Sequence, residues 1–158
     1  DFVSFSYYRS NTVKKDDLWF NVGGSSNPYL ENTPWGWPVD PLGLRHCMNE
    51  IYDRIQKPIF IVENGMGAID EADENGYVED DYRIEFVRDH LEWIAKAIED
   101  GANCLGYHYW GVIDNWSWCN AFKNRYGFIR VCLDDGYKRK EKKSASWIRE
   151  VARTNEFE

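Results

Sequence analysis

The stretch Pro58-Ile59-Phe60-Ile61-Val62-Glu63-Asn64-Gly65-Met66-Gly67 holds a short apolar run that breaks off at a carboxylate, an amide and glycines. A continuous run of that length is the pattern of a parallel strand buried on both faces. A carboxylate at the carboxyl end of such a strand loses hydration, so partners must satisfy it if it is to stay ionised. Catalytic carboxylates are held in this way, which makes Glu63 the first candidate for chemistry. A turn residue capping the next segment is the other reading, and these residues alone leave both open.

The surrounding chain alternates between strand and helix patterns. Asp1 to Tyr8 mixes apolar and small residues with aromatics, a strand pattern. Residues 9–40 lack periodicity and carry the loop signature Gly23-Gly24-Ser25-Ser26-Asn27-Pro28. Asp40-Pro41 reads as an N-cap followed by proline at the first helical position. Leu44, Met48, Ile51, Tyr52 and Ile55 follow at helical spacing until Lys57-Pro58 stops the helix. An acidic loop covers Asp70 to Asp81. Ile84, Val87, Leu91, Ile94 and Ile98 then mark an amphipathic helix closed by Gly101. Cys104 to Tyr109 is a second buried-strand candidate, followed by a tryptophan-rich loop. Tyr126 to Val131 reads as a strand, Asp134-Asp135-Gly136 as a turn, and Lys142 to Ala152 as a basic final helix. This rhythm indicates an α/β fold with parallel strands, with a compact α+β domain as the alternative. In α/β folds chemistry sits at the carboxyl ends of the strands, where the polar and aromatic residues collect here.

At 158 residues the chain has the size of one domain. Its 27 acidic and 19 basic side chains give a net charge of -8, which disfavours nucleic acid as the main partner. No apolar run reaches the roughly 20 residues that span a membrane, and no signal peptide opens the chain. Cys47, Cys104, Cys119 and Cys132 show no CxxC spacing, so no metal site is indicated. Scattered thiols of this kind fit a reducing, cytoplasmic setting. Aromatic residues make up 16% of the chain, which suits either a core of large side chains or a site that stacks sugar faces on rings.

Further candidates follow from position. Tyr7 and Tyr8, at the end of the first strand, are placed to donate a hydrogen bond to Glu63, or simply to pack. Trp110, Trp116 and Trp118 crowd one loop together with Ser117, as a sugar platform or as a hydrophobic lid. Lys123-Asn124-Arg125-Tyr126 offers two cations, an amide and a phenol for an anion such as phosphate, or a solvated basic face. His46 and His90 fall in helices and His108 in a strand, where a structural role is expected.

These motifs, in this order, resemble the C-terminal portion of family 1 glycoside hydrolases, the retaining β-glycosidases built on a (β/α)8 TIM barrel. Asp1 to Tyr8 resembles the sixth barrel strand. Ile61-Val62-Glu63-Asn64-Gly65 is similar to the seventh strand and nucleophile motif. Tyr107 to Asn115 resembles the eighth strand with its following loop, and Arg125-Tyr126-Gly127-Phe128 the family's Arg-aromatic-Gly segment. The resemblance implies that residues 1–158 are the C-terminal portion of a single barrel domain, about strands six to eight, within a chain roughly three times longer. It implies Glu63 as nucleophile with Tyr8 orienting it, and an acid/base glutamate on a fourth strand upstream of residue 1. It implies no metal and no organic cofactor.

The likeness extends to the phospho-sugar branch. Plain β-glucosidases of the family carry a glutamate nine positions before the aromatic of the Arg-aromatic-Gly segment, and here that position is Ser117. A glutamate there would repel a sugar phosphate. The branch also places a lysine two positions before the aromatic, where this chain has Asn124, with Lys123 one place away. The substrate-binding set implied by resemblance is therefore Trp110, Ser117, Trp118, Lys123, Asn124 and Tyr126. The implied substrates are phosphorylated β-linked disaccharides or aryl β-glycosides of the gluco type inside a bacterial cell. Trp118 resembles the phospho-galactosidase arrangement, which implies tolerance of galactose. A non-catalytic sugar-binding module, and an inactive portion that self-associates through open strand edges, stand as alternatives.

Overall fold

The computed structural model describes residues 1–15, 25 and 27–157. Gly23, Gly24 and Ser26 of the expected loop lie outside them. Three strands, β1 (Val3–Ser6), β2 (Ile59–Asn64) and β3 (Cys104–Tyr109), form a parallel sheet in the order β1-β2-β3. Helix α1 (Pro41–Ile55) connects the first two strands and α2 (Asp81–Glu99) the second two. The parallel pairing bears out the α/β reading. Of the described helices, none is long and apolar enough to cross a membrane.

Local chemistry sets the helix ends. Asp40 caps α1 by accepting the Gly43 backbone N–H at 2.9 Å, and Pro41 opens the first turn. Gln56 closes α1 in the left-handed conformation. The sheet is covered on one face. Ile59 and Ile61 of β2 are fully buried against Leu44 and Met48 of α1 and Ile94 and Ala97 of α2. Each of the isoleucine, leucine and methionine side chains contributes about 1.5–3 kcal/mol by leaving water. On the opposite face Phe60 packs between Phe2, with ring centroids 6.3 Å apart, and His108, at 4.8 Å, while Phe2 and Leu105 stay exposed. This second face has no cover within the described residues.

The C-terminal segment departs from expectation in three ways. The strand expected from Tyr126 starts later, as β4 (Ile129–Cys132). The Gly127 N–H is taken by the Asp114 carboxylate at 2.9 Å, and the Tyr126 carbonyl accepts from Arg83 at 3.3 Å, so neither group is free for a ladder. An unexpected antiparallel partner, β5 (Lys138–Glu141), follows the turn. Its sequence is wholly charged and has no apolar alternation to reveal a strand. Helix α3 (Lys143–Thr154) begins one residue later than expected, because Lys142 is not a solvated helix residue but is buried in an ionic cluster. Phe128 and Ala145 close a second core with Phe86 and Val87 of α2.

His90 of α2 is fully buried between Tyr7 and Phe86, with Nδ1 2.7 Å from the Phe86 carbonyl oxygen. That carbonyl can only accept, so Nδ1 carries the proton. Burial pushes its pKa down to about 4. The unfolded chain takes up this proton near pH 6.5, so His90 contributes full stability above that pH and loses it as pH falls towards 4. Histidine-labelled NMR of the whole protein should show His90 neutral throughout pH 8 to 5.5. A midpoint near 6.5 would contradict the burial argument.

Candidate active site

The carboxyl end of β2 carries one extra residue relative to both neighbours. Phe5 pairs with Ile61 and Ser6 with Glu63, so β1 advances one residue while β2 advances two. Against β3, Ile61 pairs with Tyr107 and Asn64 with Tyr109. A bulge of this kind resets the side-chain alternation. Ile59 and Ile61 face the helices, and strict alternation would send Glu63 there as well. Instead Asn64 is the residue buried on the helix side, and Glu63 turns to the open side.

Asn64 locks this arrangement. Its Nδ2 donates to the Tyr7 carbonyl oxygen at 2.8 Å, and its Oδ1 accepts from the Tyr107 hydroxyl at 2.7 Å. A carbonyl can only accept, so the amide has one possible orientation. Its own carbonyl oxygen accepts the Trp110 N–H at 2.7 Å. One buried residue thus ties the ends of all three strands together. Gly65 follows because the backbones come close: a Cβ there would lie 2.2 Å from the Trp110 carbonyl oxygen.

Glu63 Oε2 accepts two hydrogen bonds, from Tyr8 at 2.9 Å and Ser6 at 3.1 Å. Burial, and then the bond to Glu63, push the Tyr8 phenol well above its ordinary range, so it keeps its proton and remains a donor. Of the two tyrosines read from the sequence, Tyr8 is the one that reaches Glu63. Tyr7 does not reach Glu63; it points into the core and donates to the Asp40 carbonyl oxygen at the start of α1, 2.7 Å away. Ser6 was not among the expected site residues. It is part of the strand alternation, on the same face as Tyr8.

Glu63 opens into a cleft of about 870 Å³. Trp110, Ser117, Trp118, Asn124 and Tyr126 line it, together with Trp116. Trp110, Trp116 and Trp118 are all exposed, Trp118 to 89%, so three indoles present apolar rings to solvent around one carboxylate. Reciprocal backbone bonds between Ser117 and Ala121, at 2.8 and 2.7 Å, form the tight loop that carries Trp118. Lys123 is exposed and does not line the cleft, and Arg125 turns away to Asp114 and the Val131 carbonyl oxygen. Among the described lining residues Glu63 is the one carboxylate, and there is no lysine or arginine. Trp35 and Trp37 also line the cleft, from a segment whose lack of periodicity gave no signal; Tyr8 packs edge-on to Trp37, with ring centroids 6.0 Å apart.

Behind the cleft lies a buried ionic cluster. Arg83 reaches Asp80 at 2.9 Å and Asp70 at 3.0 Å, and Lys142 reaches Asp70 at 2.5 Å and Asp114 at 2.9 Å. Arg125 completes it, 3.4 Å from Asp114, so three carboxylates face three cations. Buried charges persist only when paired in this way. Arg83 also donates to the Met66 carbonyl oxygen after β2, at 3.2 Å, and to the Tyr109 hydroxyl at the end of β3, at 3.1 Å. The cluster therefore fixes the loops that bear the cleft residues. The described residues contain no group of three side chains able to hold a metal ion.

The profile described as Glycosyl hydrolase family 1 matches residues 1–157. The chain belongs to glycosyl hydrolase family 1. It is 51% identical to a 6-phospho-beta-glucosidase of Clostridium longisporum, over 98% of this chain and 36% of that protein. A 6-phospho-beta-glucosidase of Dickeya chrysanthemi is 48% identical, over 96% of this chain and 35% of that protein. The structure of a family 1 β-glucosidase from Thermotoga maritima superposes on all of this chain with a TM-score of 0.89 and 30% identity, and 36% of that chain is matched. The chain thus spans about 36% of the length of a curated family relative. Its parallel sheet and covering helices are part of the family's (β/α)8 barrel.

Because Asn64 satisfies two buried polar groups on different strands, Asn64→Leu should destabilise the whole protein by roughly 2–5 kcal/mol. Denaturant unfolding measures this. A loss below about 1 kcal/mol would contradict the tie between strands.

Proposed function

We propose that this chain supplies the nucleophile and sugar-phosphate portion of a retaining 6-phospho-β-glucosidase. The observation that carries the proposal is Glu63: the only carboxylate among the described residues of the cleft, held by Ser6 and Tyr8 and faced by exposed indoles. In this reading Glu63 attacks the anomeric carbon and forms a glycosyl ester as the aglycone oxygen departs. A second carboxyl group, about 5–5.5 Å away, protonates that oxygen and later activates water. None of the described lining residues offers one. The acid/base glutamate therefore belongs to the remainder of the barrel, with residues 1–158 forming strands six to eight of a single domain. The uncovered face of the sheet, with Phe2, Phe60 and Leu105, packs in that remainder. The chemistry requires neither metal nor organic cofactor.

The phosphate preference is supported by the names of the relatives and by Ser117, whose small neutral side chain adds no repulsion beside an anion. The substrates are then phosphorylated β-glucosides, disaccharide or aryl, cleaved inside the cell. A sugar-binding module without catalysis needs no nucleophile.

The test is kcat/KM for nitrophenyl β-glucoside with and without the 6-phosphate, in the complete enzyme. Wild type should prefer the phosphorylated form. Ser117→Glu should cut that preference about ten- to a hundredfold, since a charged contact is worth about 1.5–3 kcal/mol. A wild type without preference would overturn the phosphate reading.

A further inference from the structure

Asn124 is 6% exposed, yet it lines the cleft between two aromatic side chains. The Trp35 indole N–H lies 2.6 Å from its Oδ1, and its Nδ2 lies 2.8 Å from the Tyr126 hydroxyl. An indole nitrogen can only donate, so the amide must present its oxygen to Trp35. The amide nitrogen is then committed to Tyr126, whose hydroxyl oxygen must accept. The remaining valence of that hydroxyl is its own proton, which is left for a partner in the cleft. Gly67 gives the amide its seat, since a Cβ there would fall 2.0 Å from Oδ1.

We infer that Trp35 and Asn124 form a relay that fixes Tyr126 as a hydrogen-bond donor into the cleft, so that this subsite selects an acceptor oxygen on the substrate through oriented neutral donors. Trp35 and Asn124 are positioning residues in this scheme, and Tyr126 makes the contact. The absence of lysine and arginine from the described lining, with Lys123 exposed and Arg125 bound to Asp114, gives the relay its weight. With no cation among the described lining residues, recognition by them depends on which way the hydroxyl proton points. A phosphate oxygen is the acceptor that matches the function proposed above, and the inference rests on that reading for the identity of the ligand only.

A double-mutant cycle in the complete enzyme tests the relay. In Asn124→Asp the indole still donates to one carboxylate oxygen, but the other oxygen captures the Tyr126 proton and removes the donor from the cleft. Asn124→Asp and Tyr126→Phe should each raise KM for the 6-phosphorylated nitrophenyl glucoside about ten- to a hundredfold, with kcat changed much less. The double variant should be no worse than Tyr126→Phe alone. Losses that multiply would show the new charge acting directly on the substrate and would overturn the relay, as would an unchanged KM in Asn124→Asp. Trp35→Phe, which frees the amide to turn, should give a smaller rise in KM that also vanishes in the Tyr126→Phe background; this arm decides the matter if Asn124→Asp folds poorly. A wild type indifferent to phosphate would refute the phosphate reading alone. The cycle is then read on the unphosphorylated glucoside, where coupling supports the relay and additivity overturns it.

Discussion

Glu63 faces the cleft because β2 contains one more residue than its neighbours at its carboxyl end. Without that residue the carboxylate would point between the sheet and its helices, where an unpaired charge costs several kcal/mol. The bulge can persist only if the backbone on either side is held in register. Asn64 does this by hydrogen-bonding groups of both flanking strands from a fully buried position. The partners of Glu63 then need no special arrangement, because Ser6 ends β1 and Tyr8, two residues on, continues on the same side of the extended chain.

A second set of interactions places the walls of the cleft. The cluster of Asp70, Asp80 and Asp114 with Arg83, Lys142 and Arg125 joins α2, α3 and the loops after β2 and β3. It consumes Arg125 and Lys142, which by sequence looked free to meet solvent or an anion. Among the described residues this leaves a cleft lining whose one charged side chain is Glu63 and whose other polar groups are neutral. Specificity in such a site depends on donor orientation, which is where Trp35, Asn124 and Tyr126 enter.

Much of the fold was legible because its signals are local. Asp40-Pro41, the apolar run before Glu63 and the helical spacing from Ile84 to Ile98 each specify an element through nearby residues. The charged strand β5 was not legible, since an exposed hairpin strand buries too little to need alternation. The bulge was hidden for a different reason: it is a relation between strands, and no spacing within β2 reveals it. Glu63, Tyr8, Trp110, Ser117, Trp118, Asn124 and Tyr126 do converge on one cleft, whereas Lys123 stays outside it. Trp35 and Trp37 lay in a segment without periodicity, and only the fold brings them to the site.

In the proposed reaction the carboxylate turned outward by the bulge becomes bonded to the sugar. The direct measurement is mass spectrometry of the complete enzyme after reaction with an activated 2-deoxy-2-fluoro-β-glucoside 6-phosphate, followed by digestion and fragment sequencing. The expected result is one equivalent of fluoro-sugar phosphate, carried on Glu63 within the peptide spanning Ile59 to Gly67. A label on any other residue, or turnover of the reagent without a trapped ester, would contradict it.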